Sequence, residues 1–589
     1  PNAVICYNPW YRCAPALSPP KHVRAGLPPL ISFLGDKDPT PVKDLVSFHD
    51  ALVAAGNASE LYIGHGAGHG FCNGRNPRNP FFYWSLELTD RFLVKHGILT
   101  GKQSIQRPSG LPQVTSDAYV APYNYDGIAT GKVLAEIRST RVSNGIVILV
   151  GAADTTYDEA DKSGFTVVGL ETDRERVERI RRRVQNRDSY GRVSASLFDG
   201  STIPCVNGLV NVVVVEQDGL GDTEITRVLV PGGMSLVLKN GEWQKRGKPW
   251  PVDMDEWNQY LRSADNNAVS RDKVGPPQRL KWTGGTRWGR SHMSAVTVVS
   301  MVSAAGRLYT IEDLETVEHS RLPGKYSLLA RDAFNGMELW KQPLAGNWTS
   351  QGYLKFISTQ YQRRIAAIGD RVYCPLGMGE PISVLDGATG QVLRDYPATA
   401  RVQEFVHDRD MIYAAVGEPF GMKASKDAQV KLLAVGVSAG QPLWERQISD
   451  DGGYMGGTLA AKDNVLVYCT RTSIRCAEIG TGEDRWQIRH EALIPKRKKS
   501  VGVWLGNAVN NLQPTLVLSD DMLYCSTLYA VTAYRLSDGA RVWAADNVPN
   551  YGKPSDIFLA AGLVWTGLMT GHDLETGKVV RTPPSPPHD

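Results

Sequence analysis

The chain has 589 residues, of which 65 are Lys or Arg and 61 are Asp or Glu, and 42% of its residues are hydrophobic. This length predicts about three or four globular domains, and the even charge balance argues against nucleic-acid binding. No apolar stretch approaches the roughly 20 residues of a membrane span, no signal peptide is visible, and no Cys-x-x-Cys pair indicates a structural metal.

Residues 1–99 show alternating strands and helices, which predict an α/β unit. The predicted elements are strand Leu30–Leu34, helix Lys43–Ala55, strand Glu60–Ile63 and helix Phe82–His96. Asp38 lies in an acidic loop after the first strand, and His69 lies in a glycine-rich loop after the second. The two loops would meet above the sheet, where Asp38 could orient the His69 imidazole as a base. The alternative is that the two residues belong to unrelated loops.

The loops Gly35-Asp-Lys-Asp-Pro39 and Gly66-Ala-Gly-His-Gly-Phe71 resemble the acid and base motifs of α/β-hydrolases of the dienelactone-hydrolase and esterase type. The resemblance implies the C-terminal part of such a hydrolase, with Asp38 as the catalytic acid and His69 as the base. In this fold the nucleophilic serine lies in a Gly-x-Ser-x-Gly elbow before the acid. No such elbow precedes Asp38, so we expect the nucleophile to lie upstream of Pro1 and this chain to lack esterase activity.

Residues 100–118 are predicted to be a linker, and residues 119–242 to form a doubly wound parallel sheet. The predicted strands are Gly145–Val150, Phe165–Leu170, one that reaches Phe198-Asp199, Val210–Val215 and Met234–Leu238, and the predicted helices are Arg174–Arg187 and Thr223–Leu229. Glu171 lies 21 positions after Val150, at a spacing that suits the binding of ribose hydroxyls. Ligands of such sheets bind at the carboxyl ends of the strands.

This order of strands, acids and the segment Arg-Val-Leu-Val-Pro-Gly-Gly resembles class I S-adenosylmethionine-dependent methyltransferases. The resemblance implies S-adenosylmethionine as the cofactor, with Gly151 and Asp154 near its methionine part, Glu171 at the ribose and Asp199 near the adenine. The first loop of that family is Gly-x-Gly-x-Gly, whereas this chain has one glycine, Gly151, in the corresponding stretch. Each added Cβ intrudes on the approach of the backbone to the ligand. We therefore expect weak S-adenosylmethionine binding or none.

Residues 243–279 are predicted to be a junction. They include the oxygen-bearing side chains Asp253, Asp255, Glu256, Asp265, Asn266 and Asn267. Such a set could hold calcium, but its spacing fits no EF-hand, so we expect a docked linker and no metal.

From about Leu280 onward one turn motif recurs six times, with a Gly followed four positions later by Trp or Arg. The pairs are Gly336 and Trp340, Gly390 and Arg394, Gly440 and Trp444, Gly482 and Trp486, Gly539 and Trp543, and Gly577 and Arg581. Each copy follows two β-rich runs, which predicts a four-stranded blade whose Trp packs between blades. Such blades stack around an axis because none can bury both faces alone.

The motif resembles the pyrroloquinoline-quinone (PQQ) repeat, which implies a β-propeller over residues 280–589. Propellers of that family often have eight blades, so six motifs predict a propeller that is incomplete at its C-terminus. The chain lacks the adjacent cysteines of quinone-dependent dehydrogenases, and no Glu, Asn and Asp set that matches their calcium ligands is recognisable in it. PQQ itself is therefore not expected as a cofactor. The resemblance to propeller lipoproteins of outer-membrane assembly instead implies a non-catalytic platform for an unknown protein or small-molecule ligand, in an exported or periplasmic protein.

The sequence therefore predicts a multidomain chain with an α/β-hydrolase tail, a Rossmann-like methyltransferase sheet and an all-β propeller. Its leading functional interpretation is a binding or scaffold protein. An esterase-type serine hydrolase and an active methyltransferase remain the alternatives.

Overall fold

The structure is a computed structural model, and it describes most of the chain. The described residues are 2–9, 18–74, 78–99, 105, 107–120, 137, 144–154, 156–157, 164–185, 189–217, 219–273, 275, 279–286, 297–314, 324–346, 348, 359–417, 429–448, 453–470, 472–489, 513–547, 556–567 and 569–582. Within these residues no helix combines the length and the apolar character that a membrane span requires. The C-terminal segment Pro583–Pro587, where the sequence predicts that the propeller breaks off, lies outside them.

The chain divides into two compact units, Pro1–Lys248 and Pro249–Asp589. The division falls inside the stretch 243–279 that the sequence predicts to be a junction. The described part of the first unit contains two sheets, and that of the second contains six.

The first sheet has the order β1-β2-β3-β4, in which β1, β2 and β3 are parallel and β4 is antiparallel to β3. Its strands are β1 (Val4–Tyr7), β2 (Leu30–Gly35), β3 (Ser59–Gly64) and β4 (Ser116–Val120), and its helices are α1 (Val42–Ala54) and α2 (Pro80–Lys95). Alternate residues of β2 enter different apolar clusters, since Leu34 packs with Leu45 of α1 while Phe33 packs with Trp84 of α2. The two helices thus cover opposite faces of the sheet, as buried parallel strands require.

Strand β4 is the main departure from the predicted boundaries. It lies across the division between residues 118 and 119, where the sequence predicts the end of a linker and the start of the next unit. Its Ser116 to Val120 are paired with Gly64 to Glu60 of β3. The last part of the predicted linker therefore belongs to the first sheet.

The second sheet is a mostly parallel sheet with the order β10-β9-β8-β5-β6-β7. Its strands are β5 (Ile146–Val150), β6 (Thr166–Glu171), β7 (Val193–Leu197), β8 (Val210–Val215), β9 (Leu229–Lys239) and the antiparallel edge strand β10 (Glu242–Gly247), with helices α3 (Arg174–Gln185) and α4 (Asp222–Val228). The strand order reverses between β5 and β8. In open α/β sheets a crevice for ligands forms at such a switch point.

The second unit contains six antiparallel sheets of four strands among its described residues. They are β11–β14 (Val298–Ala304, Arg307–Asp313, Tyr326–Asp332, Glu338–Pro343), β15–β18 (Ala366–Ile368, Arg371–Pro375, Ile382–Asp386, Val392–Tyr396), β19–β22 (Val402–Asp408, Met411–Gly417, Val430–Gly436, Pro442–Ile448), β23–β26 (Ala460–Lys462, Val465–Cys469, Ser473–Glu478, Asp484–Arg489), β27–β30 (Thr515–Leu518, Met522–Ser526, Ala530–Arg535, Arg541–Asp546) and β31–β34 (Ile557–Ala560, Leu563–Thr566, Gly571–Asp573, Val579–Arg581), with the short helix α5 (Thr359–Gln362). Each of the six repeat motifs begins in the turn between the third and fourth strands of one sheet. The predicted repeat is thereby confirmed.

The repeat glycines lie against tryptophans that come from the preceding sheet, or from the segment before the first sheet. The pairs are Gly336 with Trp282, Gly390 with Trp340, Gly482 with Trp444, Gly539 with Trp486 and Gly577 with Trp543. Each indole nitrogen donates to the carbonyl three residues before its glycine. Arg394 takes the place of Trp in one sheet and donates to the carbonyl of Val437 at 3.2 Å. The prediction that the tryptophans pack between blades is therefore confirmed.

Residues 257–267, which we call the hub strap, connect the six sheets of the second unit. The strap is hydrogen-bonded to the first strand of every sheet, in chain order. The bonded pairs are Trp257 with Ser303, Asn258 with Ala367, Gln259 with His407, Ala264 with Ala461, Asp265 with Leu518 and Asn267 with Leu559. The segment predicted to be a docked linker thus lies along the first strands of the six sheets and links them.

Candidate functional site

Asp38 and His69 meet at the carboxyl ends of β2 and β3. His69 Nδ1 lies 2.9 Å from Asp38 Oδ2, and the Asp38 side chain is fully buried while that of His69 is 66% exposed. Asp38 also accepts hydrogen bonds from the backbone nitrogen of Thr40 at 2.9 Å and from Asn8 Nδ2 at 2.7 Å. The two residues that the sequence singles out are therefore in contact, as an acid and a base must be.

The surroundings of Asp38 favour its charged form. Burial raises the pKa of its carboxyl, but the hydrogen bonds donated by Thr40, His69 and Asn8 outweigh burial, and the pKa lies below its ordinary value. A carboxylate at Nδ1 stabilises the imidazole tautomer with a proton on Nδ1. Nε2 of His69 is then left to accept a proton from a nucleophile or a water molecule.

A second histidine–carboxylate group, outside the predicted motif, lies in the same two loops. His65 Nδ1 is 3.3 Å from Asp36 Oδ2, and His65 Nε2 is 3.1 Å from Asp117 Oδ1 on β4. The hydrogen bonds with Asp117 and Asp36 raise the pKa of His65. Because both ring nitrogens face carboxylates, His65 has no nitrogen free to act as a base, whereas His69 does.

His69 makes no hydrogen bond to a hydroxyl or thiol in the part of the chain that the structure describes. A serine-hydrolase site needs such a nucleophile within about 3 Å of the imidazole. The described residues thus place a carboxylate and an imidazole together without a nucleophile beside them.

The residues predicted to hold S-adenosylmethionine lie at the carboxyl ends of β5, β6 and β7. Glu171 is 3% exposed, accepts a hydrogen bond from Tyr157 at 2.9 Å and forms an ion pair with Arg176 of α3, with Nε 2.9 Å from Oε2. Burial raises the pKa of Glu171 although Tyr157 and Arg176 oppose that effect. Both carboxylate oxygens of Glu171, the residue predicted to bind the ribose, are therefore held by other side chains of this chain.

The loop after β5 is also occupied by side chains of this domain. Glu216 accepts hydrogen bonds from the backbone nitrogen of Ala153 at 2.8 Å and from Thr156 Oγ1 at 2.6 Å. Gly151 has a φ of +58°, and a Cβ added there would lie 2.2 Å from the Gln217 side chain. These contacts use the backbone groups and the space that a ligand of this loop would need.

Asp154 and Asp199 complete the predicted set. Asp154 Oδ2 lies 3.4 Å from Arg183 Nη1 of α3. Asp199 accepts backbone hydrogen bonds from Ser201 and Thr202, each at 2.7 Å, and these bonds lower the pKa of its carboxyl. Sequence reasoning missed Tyr157, Arg176 and Glu216, because their roles depend on contacts between separate loops.

The second unit has a half-open cleft of about 600 Å³ beside the hub strap. Its apolar lining includes Val269, Leu518, Met522, Val542, Leu559 and Leu574. Two of its basic lining residues are paired: Lys462 forms an ion pair with Asp520 at 2.9 Å, and Arg262 forms one with Asp255 at 2.7 Å. This volume lies within the range of about 300–1,000 Å³ that is typical of ligand pockets.

Three carboxylates of the predicted junction, Asp255, Glu256 and Asp265, have protein partners. Arg262 holds the pKa of Asp255 at about 2, against the opposing effect of burial. Glu256 accepts a hydrogen bond from the backbone nitrogen of Ala305 at 2.6 Å, and Asp265 accepts one from Ser263 at 2.6 Å. Among the described residues no group of three or more His, Cys, Asp or Glu is arranged to hold a metal ion.

Comparisons with known proteins match different parts of the chain. The esterase 2 of Thermogutta terrifontis, in a structure phosphonylated by cyclosarin, is 38% identical over 17% of this chain and 43% of the esterase, with a TM-score of 0.17. This chain therefore spans less than half the length of that relative. The comparison with curated proteins found no match.

Two further solved structures are similar to about half of this chain. BamB from Moraxella catarrhalis is 12% identical over 49% of this chain and 75% of BamB, with a TM-score of 0.29. A europium-containing methanol dehydrogenase is 14% identical over 56% of this chain and 85% of the enzyme, with a TM-score of 0.36.

The family of the outer membrane protein assembly factor BamB matches residues 278–545. These findings give no support to the methyltransferase resemblance. Residues 278–545 form a β-propeller of the PQQ-repeat, BamB-like type.

Proposed function

We propose that this protein is an exported or periplasmic scaffold whose propeller binds a protein or peptide ligand. The observation that carries the proposal is the cleft beside the hub strap. Its lining combines apolar and charged side chains, which provide what peptide recognition needs, namely buried area for affinity and charges for orientation.

The unpaired charges of the cleft lining indicate the kind of ligand. Lys462 and Arg262 are neutralised by their ion pairs. Asp521 and Glu575 also line the cleft, and their carboxylates have no ion-pair partner in the described residues, while Arg271 is the corresponding unpaired cation. The excess of carboxylates favours a peptide that carries basic side chains next to apolar ones.

Fluorescence anisotropy of labelled hexapeptides tests this proposal on the full chain. Peptides of alternating Leu and Lys are expected to bind, whereas peptides of alternating Leu and Glu are not. The double substitution Asp521→Asn and Glu575→Gln should weaken binding at least about fivefold, the loss of roughly 1 kcal/mol of charge interaction. Glu483→Gln, in the equivalent turn of another sheet, should leave binding unchanged. Equal binding of both peptides, or no effect of the double substitution, would contradict the proposal.

The geometry of Asp38 and His69 favours a second function, ester hydrolysis by the first unit. The carboxylate orients the imidazole, and Nε2 is free to accept the proton of an activated hydroxyl. In this proposal the chain contributes the acid and the base, and a serine in a Gly-x-Ser-x-Gly elbow contributes the nucleophile and part of the oxyanion hole.

Hydrolysis of p-nitrophenyl acetate tests the second function. This 589-residue chain is expected to show no turnover that depends on His69, because an acid–base pair without a nucleophile leaves only modest catalysis. A longer form of the protein whose added N-terminal residues include the elbow should hydrolyse the ester and lose activity on His69→Ala. His65→Ala is the matched control and should retain activity. Turnover by the present chain that vanishes on His69→Ala would show that the nucleophile lies within it.

A further inference from the structure

Asn8 contacts both loops that carry the acid and the base. It is the residue after β1, and its Nδ2 donates to Asp38 Oδ2 at 2.7 Å, the same oxygen that faces His69 Nδ1. Its Oδ1 accepts a hydrogen bond from the backbone nitrogen of Gly70 at 3.2 Å. One amide therefore connects the end of β1, the acid loop and the base loop.

The chemistry of this position is specific to asparagine. Asn8 has a φ of +47°, a left-handed conformation that asparagine and glycine tolerate better than other residues. The contacts also require one donor and one acceptor on a short side chain, which an amide provides. Aspartate would replace the donor with a second negative charge beside Asp38, and glycine would keep the backbone but lose both bonds.

We propose that Asn8 is a positioning residue of the Asp38–His69 pair. Its hydrogen bond to Oδ2 prevents the Asp38 carboxylate from turning away from the imidazole. Its bond to Gly70, the residue after His69, holds the base loop at a constant distance from the acid loop. The consequence is a single orientation of the His69 ring with the proton on Nδ1. The proposal rests on the hydrolase function as the reason for this arrangement, but the arrangement itself can be measured without catalysis.

The test is nitrogen NMR of the His69 imidazole in the full chain, with the resonance assigned by its loss in His69→Gln. The native chain is expected to show mainly the tautomer protonated on Nδ1. Asn8→Gly keeps the left-handed backbone and should lower the ratio of the Nδ1–H to the Nε2–H tautomer about threefold to tenfold, the effect of one lost hydrogen bond. Asn8→Ala should do the same.

Asn2→Ala is the matched control, since Asn2 is an exposed asparagine just before β1. It should leave the tautomer ratio unchanged. Circular dichroism and the thermal midpoint show whether Asn8→Gly remains folded. An unchanged tautomer ratio in folded Asn8→Gly would overturn the proposal. An equal decrease of the tautomer ratio in Asn2→Ala would also overturn it, because the change would then not be specific to the Asn8 amide.

A longer, active form of the protein separates this inference from the hydrolase proposal. There Asn8→Gly should lower kcat with little change in KM, because Asn8 orients the base and does not touch the substrate. If the longer form has no activity that depends on His69, the hydrolase proposal fails while the tautomer measurement still decides the role of Asn8.

Discussion

At the scale of single residues, the charge of Asp38 links the candidate hydrolase site to stability. Its pKa is lowered in the folded chain, so ionised Asp38 stabilises the fold above its ordinary pKa of about 3.9. This contribution disappears as the pH falls through the lowered value. The side chain is fully buried, and its removal would leave the Thr40 and Asn8 donors without an acceptor.

We predict that Asp38→Asn reduces the protection of the β2 and β3 amides from hydrogen exchange at pH 7. The expected loss is about 1–3 kcal/mol, the cost of buried donors that lose an acceptor. The difference from the native chain should shrink as the pH falls through the lowered pKa of Asp38. Asp50→Asn, on the exposed side of α1, serves as the control. A difference that stays the same size down to the pH at which the chain unfolds would show that the charge of Asp38 is not responsible.

The pairs of glycine and tryptophan act at the scale of the element. Gly482 has a φ of +74°, and a Cβ added there would lie 2.6 Å from the Trp444 ring. Both the backbone conformation and the neighbouring indole therefore exclude a side chain at this position. The repeated glycine therefore serves both the turn within its own sheet and the packing of that sheet against the preceding one.

We predict that Gly482→Ala destabilises the propeller by more than about 1 kcal/mol, since alanine is strained at positive φ and here also displaces the indole. Gly480→Ala, two residues earlier in the same turn, should be nearly neutral because a Cβ there meets no atom within 4 Å. Guanidinium denaturation followed by tryptophan fluorescence measures both. Equal effects of the two substitutions would refute the packing argument.

The hub strap is the second element with a measurable contribution. Gln259 is buried and forms two hydrogen bonds with the backbone of His407, at 2.7 and 2.8 Å. Gln259→Leu should therefore cost about 1–3 kcal/mol for each buried backbone group that it leaves unpaired. Gln441→Leu, at an exposed turn, is the control. Chemical denaturation of the full chain should show a lower free energy of unfolding for Gln259→Leu and no change for Gln441→Leu. An unchanged value for Gln259→Leu would mean that the strap does not stabilise the propeller.

At the scale of the whole molecule, the two α/β sheets differ in how their candidate sites are filled. His69 Nε2 faces no described protein partner, whereas Glu171 is held by Tyr157 and Arg176. We propose on this basis that the second sheet binds S-adenosylmethionine weakly or not at all.

We predict that calorimetric titration of the full chain with S-adenosylmethionine gives no binding in the micromolar range. The ligand would have to displace the Arg176 ion pair and the Glu216 hydrogen bonds before it could reach the loop after β5. Arg176→Ala is included to show whether removal of that ion pair increases the affinity. Micromolar binding that Glu171→Ala abolishes would contradict the prediction.

The predictable parts of the fold are those with a strong local signal. The predicted strand Val210–Val215 agrees with β8 at both ends, because a buried parallel strand is a continuous apolar run. β4 was missed because Ser116–Val120 has no such run and becomes a strand only through its pairing with β3. Likewise Asp38 and His69 stand in recognisable motifs, whereas Asn8 is 30 residues from Asp38 in the chain and belongs to no motif.

The amino-acid sequence alone determined the number of repeat turns, the glycines that require a left-handed backbone and the loops that carry an acid and a base. These are local properties, set by short-range sterics and by hydrophobic periodicity. Only the tertiary structure decided which polar groups satisfy one another. Arg176 forms an ion pair with Glu171, and Asn8 is hydrogen-bonded to both the acid loop and the base loop. The hub strap is hydrogen-bonded to six separate strands. Buried polar groups must find partners wherever the fold brings them close, and that proximity is a property of the packed chain.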